Sequence, residues 1–270
     1  MLMACCMGVA AQTSPSIVMH TENYDLYGSE NALTLAIVST ASGKVGVDCG
    51  FGIEEYDVEP AYIDESGEMA ATLIDCTVSK KGNISIYCYD DVKIDYFNGD
   101  GCGLTSISFN NPENLSILTL RHNSLRALDL TTCYNLTSVD VGDNPFTDSP
   151  FVLGAIKPKL TILDVDIVGN LDPNFSLVYY PSLMAFDAFS TKTLTKCDPS
   201  NCPQLLKISI DSTPVASIDV SNNPELRILN VSGTNISSID VSHNPKLQQL
   251  YCDGVGSGLT ELAVTHNPNL

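Results

Sequence analysis

The sequence predicts a mainly β protein: a small β-sandwich leading into a curved solenoid of short stacked repeats. Three observations carry this reading. Apolar residues recur every ten or eleven positions in the second half of the chain, as at Val215, Leu226, Ile236 and Leu247. Asn-Pro pairs punctuate them at Asn144-Pro145, Asn223-Pro224 and Asn244-Pro245. Before residue 100 the pattern changes to alternation with period two. Short repeats of one pattern must stack, because a single unit cannot bury its apolar edge alone.

The first eleven residues, MLMACCMGVAA, are apolar, uncharged and followed by Gln12. Val9-Ala10-Ala11 suits a small-residue cleavage site, so residues 1–11 are expected to be the remnant of a longer secretory signal. A second reading takes Leu2-Met3-Ala4-Cys5 as a lipobox with Cys5 as a lipid anchor. No later run is long and apolar enough to predict a membrane span.

Residues 16–100 are expected to form the sandwich. Leu33-Thr34-Leu35-Ala36-Ile37, Val45-Gly46-Val47 and Ile84-Ser85-Ile86-Tyr87-Cys88 alternate as half-buried strands do. Ser42-Gly43, Gly50-Phe51-Gly52, Ser66-Gly67 and Lys81-Gly82-Asn83 are the turns between strands. VGVDCGFG followed by KKGNISIYC resembles the PKD-like modules that precede repeats in bacterial surface proteins. The lack of any Trp is a departure from that pattern.

The solenoid is expected over residues 104–270. Its openers run Leu104, Leu115, Leu125, Leu136, Phe146, Leu160, Leu171, Leu183, Leu194, Leu205, Val215, Leu226, Ile236, Leu247, Leu259 and Leu270. Within Val215–Leu247 each opener is followed three residues later by Ile218, Leu229, Ile239 or Leu250, then by Val220, Val231, Val241 or Cys252. That is the LxxLxLxxNxL spacing of a leucine-rich repeat, in 21-residue units with two similar halves. The wide Phe146–Leu160 gap could hold a helical turn after Asp148-Ser149-Pro150, and the Leu171–Leu183 unit is degenerate. Loop residues Asn123, Asn144, Asn223 and Asn244 are expected to form a structural ladder that bonds the backbone of neighbouring turns. Leu270 opens a coil with no polar cap after it, so truncation is expected there.

Leu226-Arg227-Ile228-Leu229-Asn230-Val231, then Ile236-Ser237-Ser238-Ile239-Asp240-Val241 and Asn244-Pro245, resemble the leucine-rich repeat proteins of Bacteroidetes surfaces and, more distantly, the internalins. The resemblance implies an exported, non-catalytic protein that binds through the concave sheet. It also implies the register: units opening at Leu115, Leu136, Leu160, Leu183, Leu205, Leu226 and Leu247 supply the concave strands. Those opening at Leu125, Val215, Ile236 and Leu259 run along the convex side. Periodicity alone leaves the swapped register open.

In the implied register, Asp140, Asp164, Asp166, Asp187, Ser209, Asp211, Asn230, Tyr251 and Asp253 project from the concave face and are the candidate ligand-binding residues. Neighbouring aspartates ~4.8 Å apart repel by about 1 kcal/mol even in water, so the row either stays solvated or meets a basic partner. The formal charge of −19 argues against nucleic acid and anionic lipid. Asp164-Val165-Asp166 begins like a calcium loop, but Val168 and Phe175 stand where ligands belong, so no metal or other cofactor is expected. Cys197 and Cys202, close together in a turn, are the disulfide candidates, while Cys133 and Cys252 are expected to point inward. No nucleophile, metal-protease or phosphate-loop motif occurs. The expected function is binding of a protein or glycan partner, a basic one suiting the acidic row; a structural or adhesive stalk and an accessory targeting module are the alternatives.

Overall fold

The computed structural model describes residues 14–22, 32–60, 62–63, 69–79, 82–154, 157–254 and 258–270. The signal remnant, the lipobox and the Ser66-Gly67 turn lie outside these residues. The chain forms two compact units that divide between Leu115 and Ser116. No helix among the described residues is long and apolar enough to cross a membrane.

The first unit is built from β1 (Ile17–Thr21), β2 (Ala32–Ser39), β3 (Gly43–Asp48), β4 (Ile53–Val58), β5 (Tyr62–Ile63), β6 (Met69–Ala70), β7 (Thr72–Thr77), β8 (Asn83–Cys88), β9 (Ile94–Asn98) and β10 (Leu104–Phe109). One antiparallel sheet has the order β10-β1-β8-β3-β4, and β9-β2-β7 pair antiparallel in a second. Alternation decides what each sheet buries. Ile17, Met19, Val45, Val47, Ile84 and Ile86 face in from the first, and Leu35, Ile37, Ile74 and Phe97 from the second. Leu104, read above as the first solenoid opener, lies instead in β10, where it pairs with Thr21. The reason is local: Leu104-Thr105-Ser106-Ile107-Ser108-Phe109 alternates like a strand, and period two prevails over the leucine spacing.

The second unit is a leucine-rich repeat solenoid. β11 (Ile117–Thr119), β13 (Ser138–Asp140), β15 (Ile162–Asp164), β16 (Ala185–Asp187), β17 (Lys207–Ser209), β18 (Ile228–Asn230) and β20 (Gln249–Tyr251) follow the openers assigned to the concave side. Each pairs parallel with the next at matching positions, as Leu163 with Phe186 and Ile208 with Leu229. The opposite side carries short parallel pairs, β12 (Leu128–Asp129) with β14 (Phe151–Val152) and β19 (Ser238–Asp240) with β21 (Glu261–Ala263). The register is therefore the one the resemblance implied. Openers Leu115, Leu136, Leu160, Leu183, Leu205, Leu226 and Leu247 are all buried.

Two coils are irregular, and the first differs from expectation. Residues 151–152 are extended rather than helical, because buried Phe151 pairs in β14 and stacks on Phe146 at 5.5 Å. The one helical turn among the described residues is a 3-10 turn, η1 (Leu177–Tyr179), in the degenerate coil. There Phe175 stacks on Phe186 at 5.9 Å and meets Tyr180 at 6.1 Å, so aromatic bulk fills the space left by missing leucines.

The loop ladder is two columns, and its chemistry is broader than asparagine. After the long-sheet strands, Asn123 and Asn144 donate to Leu120 O, and Thr191 donates to Val165 O of the preceding coil. At the other corner, three residues before the openers Leu160, Leu183, Leu205, Leu226 and Leu247, stand Lys157, Tyr180, Cys202, Asn223 and Asn244. Asn244 Nδ2 donates to Val220 O and Asn223 O, both at 2.9 Å. Asn223 does the same to Pro199 O and Cys202 O. Cys202 Sγ donates to Leu177 O and Tyr180 O, and Tyr180 Oη to Gly154 O. Lys157, fully buried, donates Nζ to Leu130 O at 2.8 Å; burial pushes its pKa down. Each occupant satisfies carbonyls of the coil before it.

This column corrects the proposed Cys197–Cys202 disulfide. Both are free, buried thiols. Cys197 fills the inward row of its coil, and Cys202 is turned toward the carbonyls it serves. Burial pushes them up to about 12 and about 11. Cys133 is buried as expected, whereas Cys252 is only partly covered.

Replacing Asn244 by Ala strands two buried carbonyls, so denaturant titration should show a loss of about 1–3 kcal/mol. Leu229→Ala should lose about 2–5 kcal/mol in the same assay.

Candidate functional site

In each long-sheet strand the middle residue points into the solenoid and its two neighbours point out. The inward residues are Leu118, Val139, Leu163, Phe186, Ile208, Leu229 and Leu250, a uniformly apolar set. The outward positions carry Ser138, Ile162, Lys207 and Gln249 in one row and Asp140, Asp164, Asp187, Ser209, Asn230 and Tyr251 in the next. Asp166, Asp211 and Asp253 follow just beyond the strand ends. The sheet thus gathers the candidate residues on one face, but it employs most of them locally.

The aspartates at strand ends are turn devices. Asp140 Oδ1 accepts from Gly142 N at 3.0 Å, Asp164 from Asp166 N at 3.0 Å and Asp187 from Phe189 N at 3.2 Å. Asn230 does the same for Ser232 N. Asp129, Asp219 and Asp240, on the opposite side, cap Thr131, Ser221 and Ser242 in the same way. A short side-chain acceptor two residues before a backbone N–H closes an Asx turn, which is what a coil needs where a strand ends.

Beyond that shared role the two sides differ. Asp240 and Asp219 are exposed, and the N–H and hydroxyl groups of Ser242 and Ser221 hold their carboxyls below the usual range. Asp140 and Asp164 are half-buried, and burial raises both; Asp164, also crowded by Asp140 and Asp166, is pushed up to about 7. One cation offsets the crowding. Arg121 reaches across two coils to Asp166 at 2.5 Å, with Asp164 at 3.4 Å and Asp140 at 3.5 Å. Its passage requires Gly142, where a Cβ would overlap Asp166 Oδ1 and Arg121 Nη1. Further along, Lys207 pairs with Asp187 at 2.8 Å, and Ser209 Oγ donates to Asp211. Gly142 and Lys207 were missed by the sequence reading, whose signal was the acidic row and not its counter-charges.

Exposed apolar side chains at outward strand positions are Ile162 (48 %) and Tyr251 (45 %), with Phe189 (39 %) just beyond the end of β16 and Met184 (36 %) just before its start. Tyr251 Oη is held by Gln249, and Asp253 stands exposed beyond it. Sequence reading found Tyr251; Ile162 and Met184 hid among the apolar residues of the repeat.

No protein-family model matches the chain, and no curated protein matches it. Among solved structures, the functional domain of InlJ from Listeria monocytogenes, described as including a cysteine ladder, aligns with 18% identity and a TM-score of 0.30. The alignment covers 66% of this chain, which spans 57% of that one. The fold assignment rests on the strand register and coil stacking of this chain.

Asp164 generates a pH dependence. Its carboxyl titrates near 7 in the folded chain against an ordinary 3.8, so the folded state favours the proton. The stability it contributes is complete below about pH 4 and is lost as pH rises through 7. Asp164→Asn should therefore melt higher than the parent at pH 8 and converge with it at pH 4. Gly142→Ala should lose roughly 1–3 kcal/mol, read by thermal or chemical unfolding.

Proposed function

We propose that this chain is an exported, non-catalytic binding protein whose long-sheet face takes a protein partner. The observation that carries the reading is the set of exposed apolar side chains, Ile162, Met184, Phe189 and Tyr251, on a face whose backbone is locked by parallel pairing. Inward positions accept only apolar residues, while outward positions range from Lys207 to Ile162 to Asp164. A solenoid thereby holds its shape while its surface is free to vary. Exposed aromatic and large aliphatic groups on a rigid support suit the anchors that dominate protein interfaces.

Charge supports a partner with basic groups. Arg121 and Lys207 answer Asp140, Asp164, Asp166 and Asp187, and Asp211 and Asp253 extend the negative surface beyond them. The carboxylates serve as turn caps and ion-pair partners, which favours binding over acid–base chemistry.

The test compares capture from surface extracts by the parent chain, by Ile162→Ser/Met184→Ser/Phe189→Ser, and by an opposite-face control, Asp219→Asn/Asp240→Asn. A partner of this face should lose about 30-fold or more in affinity to the first variant, as expected for lost anchors, and bind the control like the parent. Equal binding by all three chains removes the long-sheet face from the function.

A further inference from the structure

The cysteines of the sandwich are placed differently from those of the solenoid. Cys49 follows β3 in the five-stranded sheet, and Cys76 lies in β7 of the opposing sheet. Their thiols lie close enough to interact across the gap. Both line one cavity of about 120 Å³, with Phe51, Glu54, Tyr56 and Asp75 around them. Cys49 is partly exposed and Cys76 is buried.

The surrounding backbone holds this pair in place. Asp48 Oδ1 accepts from Gly50 N at 2.7 Å and Gly52 N at 3.2 Å, fixing the turn that carries Cys49. Gly50 has φ of 95° and Gly52 of 110°, backbone that L side chains rarely adopt. Ser79 N donates to Cys49 O at 2.8 Å, tying the turn to the strand end beyond Cys76. Tyr56 Oη donates to Asp75 O on the same strand. Cys102, the next thiol, has its Sγ directed at Thr34 O and Asp100 O.

We propose that Cys49 and Cys76 form a disulfide-exchange site, which a small disulfide of the glutathione class converts into a covalent staple between the two sheets. Cys49, as thiolate, attacks one sulfur of the small disulfide; the S–S bond breaks and one small thiol leaves. Cys76 then gives up its proton and attacks Cys49 Sγ, forming the Cys49–Cys76 bond and releasing the second thiol. Two protein thiols are oxidised, one small disulfide is reduced to two thiols, and the two protons leave with them. The order of attack follows access: Cys49 is partly exposed and its contact with Cys76 lowers its pKa, whereas that contact and burial push buried Cys76 up. The exposed cavity wall admits the reagent to Cys49 first.

The test incubates the reduced chain with oxidised glutathione, blocks remaining thiols, and maps linked peptides by mass spectrometry. The expected product joins Cys49 to Cys76 and leaves Cys102 free. The melting temperature should rise by roughly 10 °C through constraint of the unfolded chain, and a dithiol reductant should reverse it. In Cys76→Ser, Cys49 should retain one glutathione because the second thiol is gone. Cys76→Val gives the same readout should the serine variant not fold. Failure to link Cys49 with Cys76 at equilibrium, or preferential linkage of either to Cys102, overturns the proposal.

Discussion

A solenoid turns corners, and at each corner the backbone leaves strand geometry with carbonyl groups aimed into the stack. Those carbonyls lack ladder partners, and a buried unpaired carbonyl costs about as much as a lost hydrogen bond. Here the answer is one donor side chain per coil, reaching back to the coil before. Asn244, Asn223, Cys202, Tyr180 and Lys157 do this at one corner and Asn144 and Thr191 at the other. The inward leucines supply the apolar drive, and the donor columns give the corner carbonyls their partners in this stacking register. Lys157 shows how firm the demand is: an ammonium is kept in the interior because two carbonyls, Leu130 O and Thr131 O, are there to receive it.

The acidic surface follows from a second local need. Each strand end requires an acceptor to close its turn, and an aspartate meets that requirement on both sides of the solenoid. Stacking then brings these turn caps into rows. On the side of Asp219 and Asp240 water solvates them, whereas on the long-sheet face Asp140, Asp164 and Asp166 are crowded and partly buried. Arg121 and Gly142 form the local compensation, one bringing charge and the other making room for it. What is left for recognition is the remainder of the outward positions, in particular the exposed apolar groups.

Cysteine chemistry divides along the same line. In the solenoid, Cys133, Cys197 and Cys202 are buried, and burial raises all three thiols, so they behave as packing groups or corner donors. In the sandwich, Cys49 and Cys76 meet across two sheets beside a cavity. Spacing along the chain favoured Cys197 and Cys202; spatial arrangement favours a pair drawn from distant strands.

The repeat period, the inward leucines, the asparagine corners and the alternation of the sandwich strands were legible in the sequence, because each reflects where one residue's side chain points relative to its near neighbours. The resemblance then chose between two registers that periodicity left equal. What only the tertiary structure decided were relations between coils. Lys157, Tyr180 and Cys202 serve the position of asparagine because any donor of sufficient reach satisfies the carbonyls behind it. Arg121 belongs to Asp166, 45 positions on, and Leu104 joins β1 because a strand partner lay elsewhere in the chain. A linear pattern records the direction of a side chain; which group it meets depends on how the next coil is stacked.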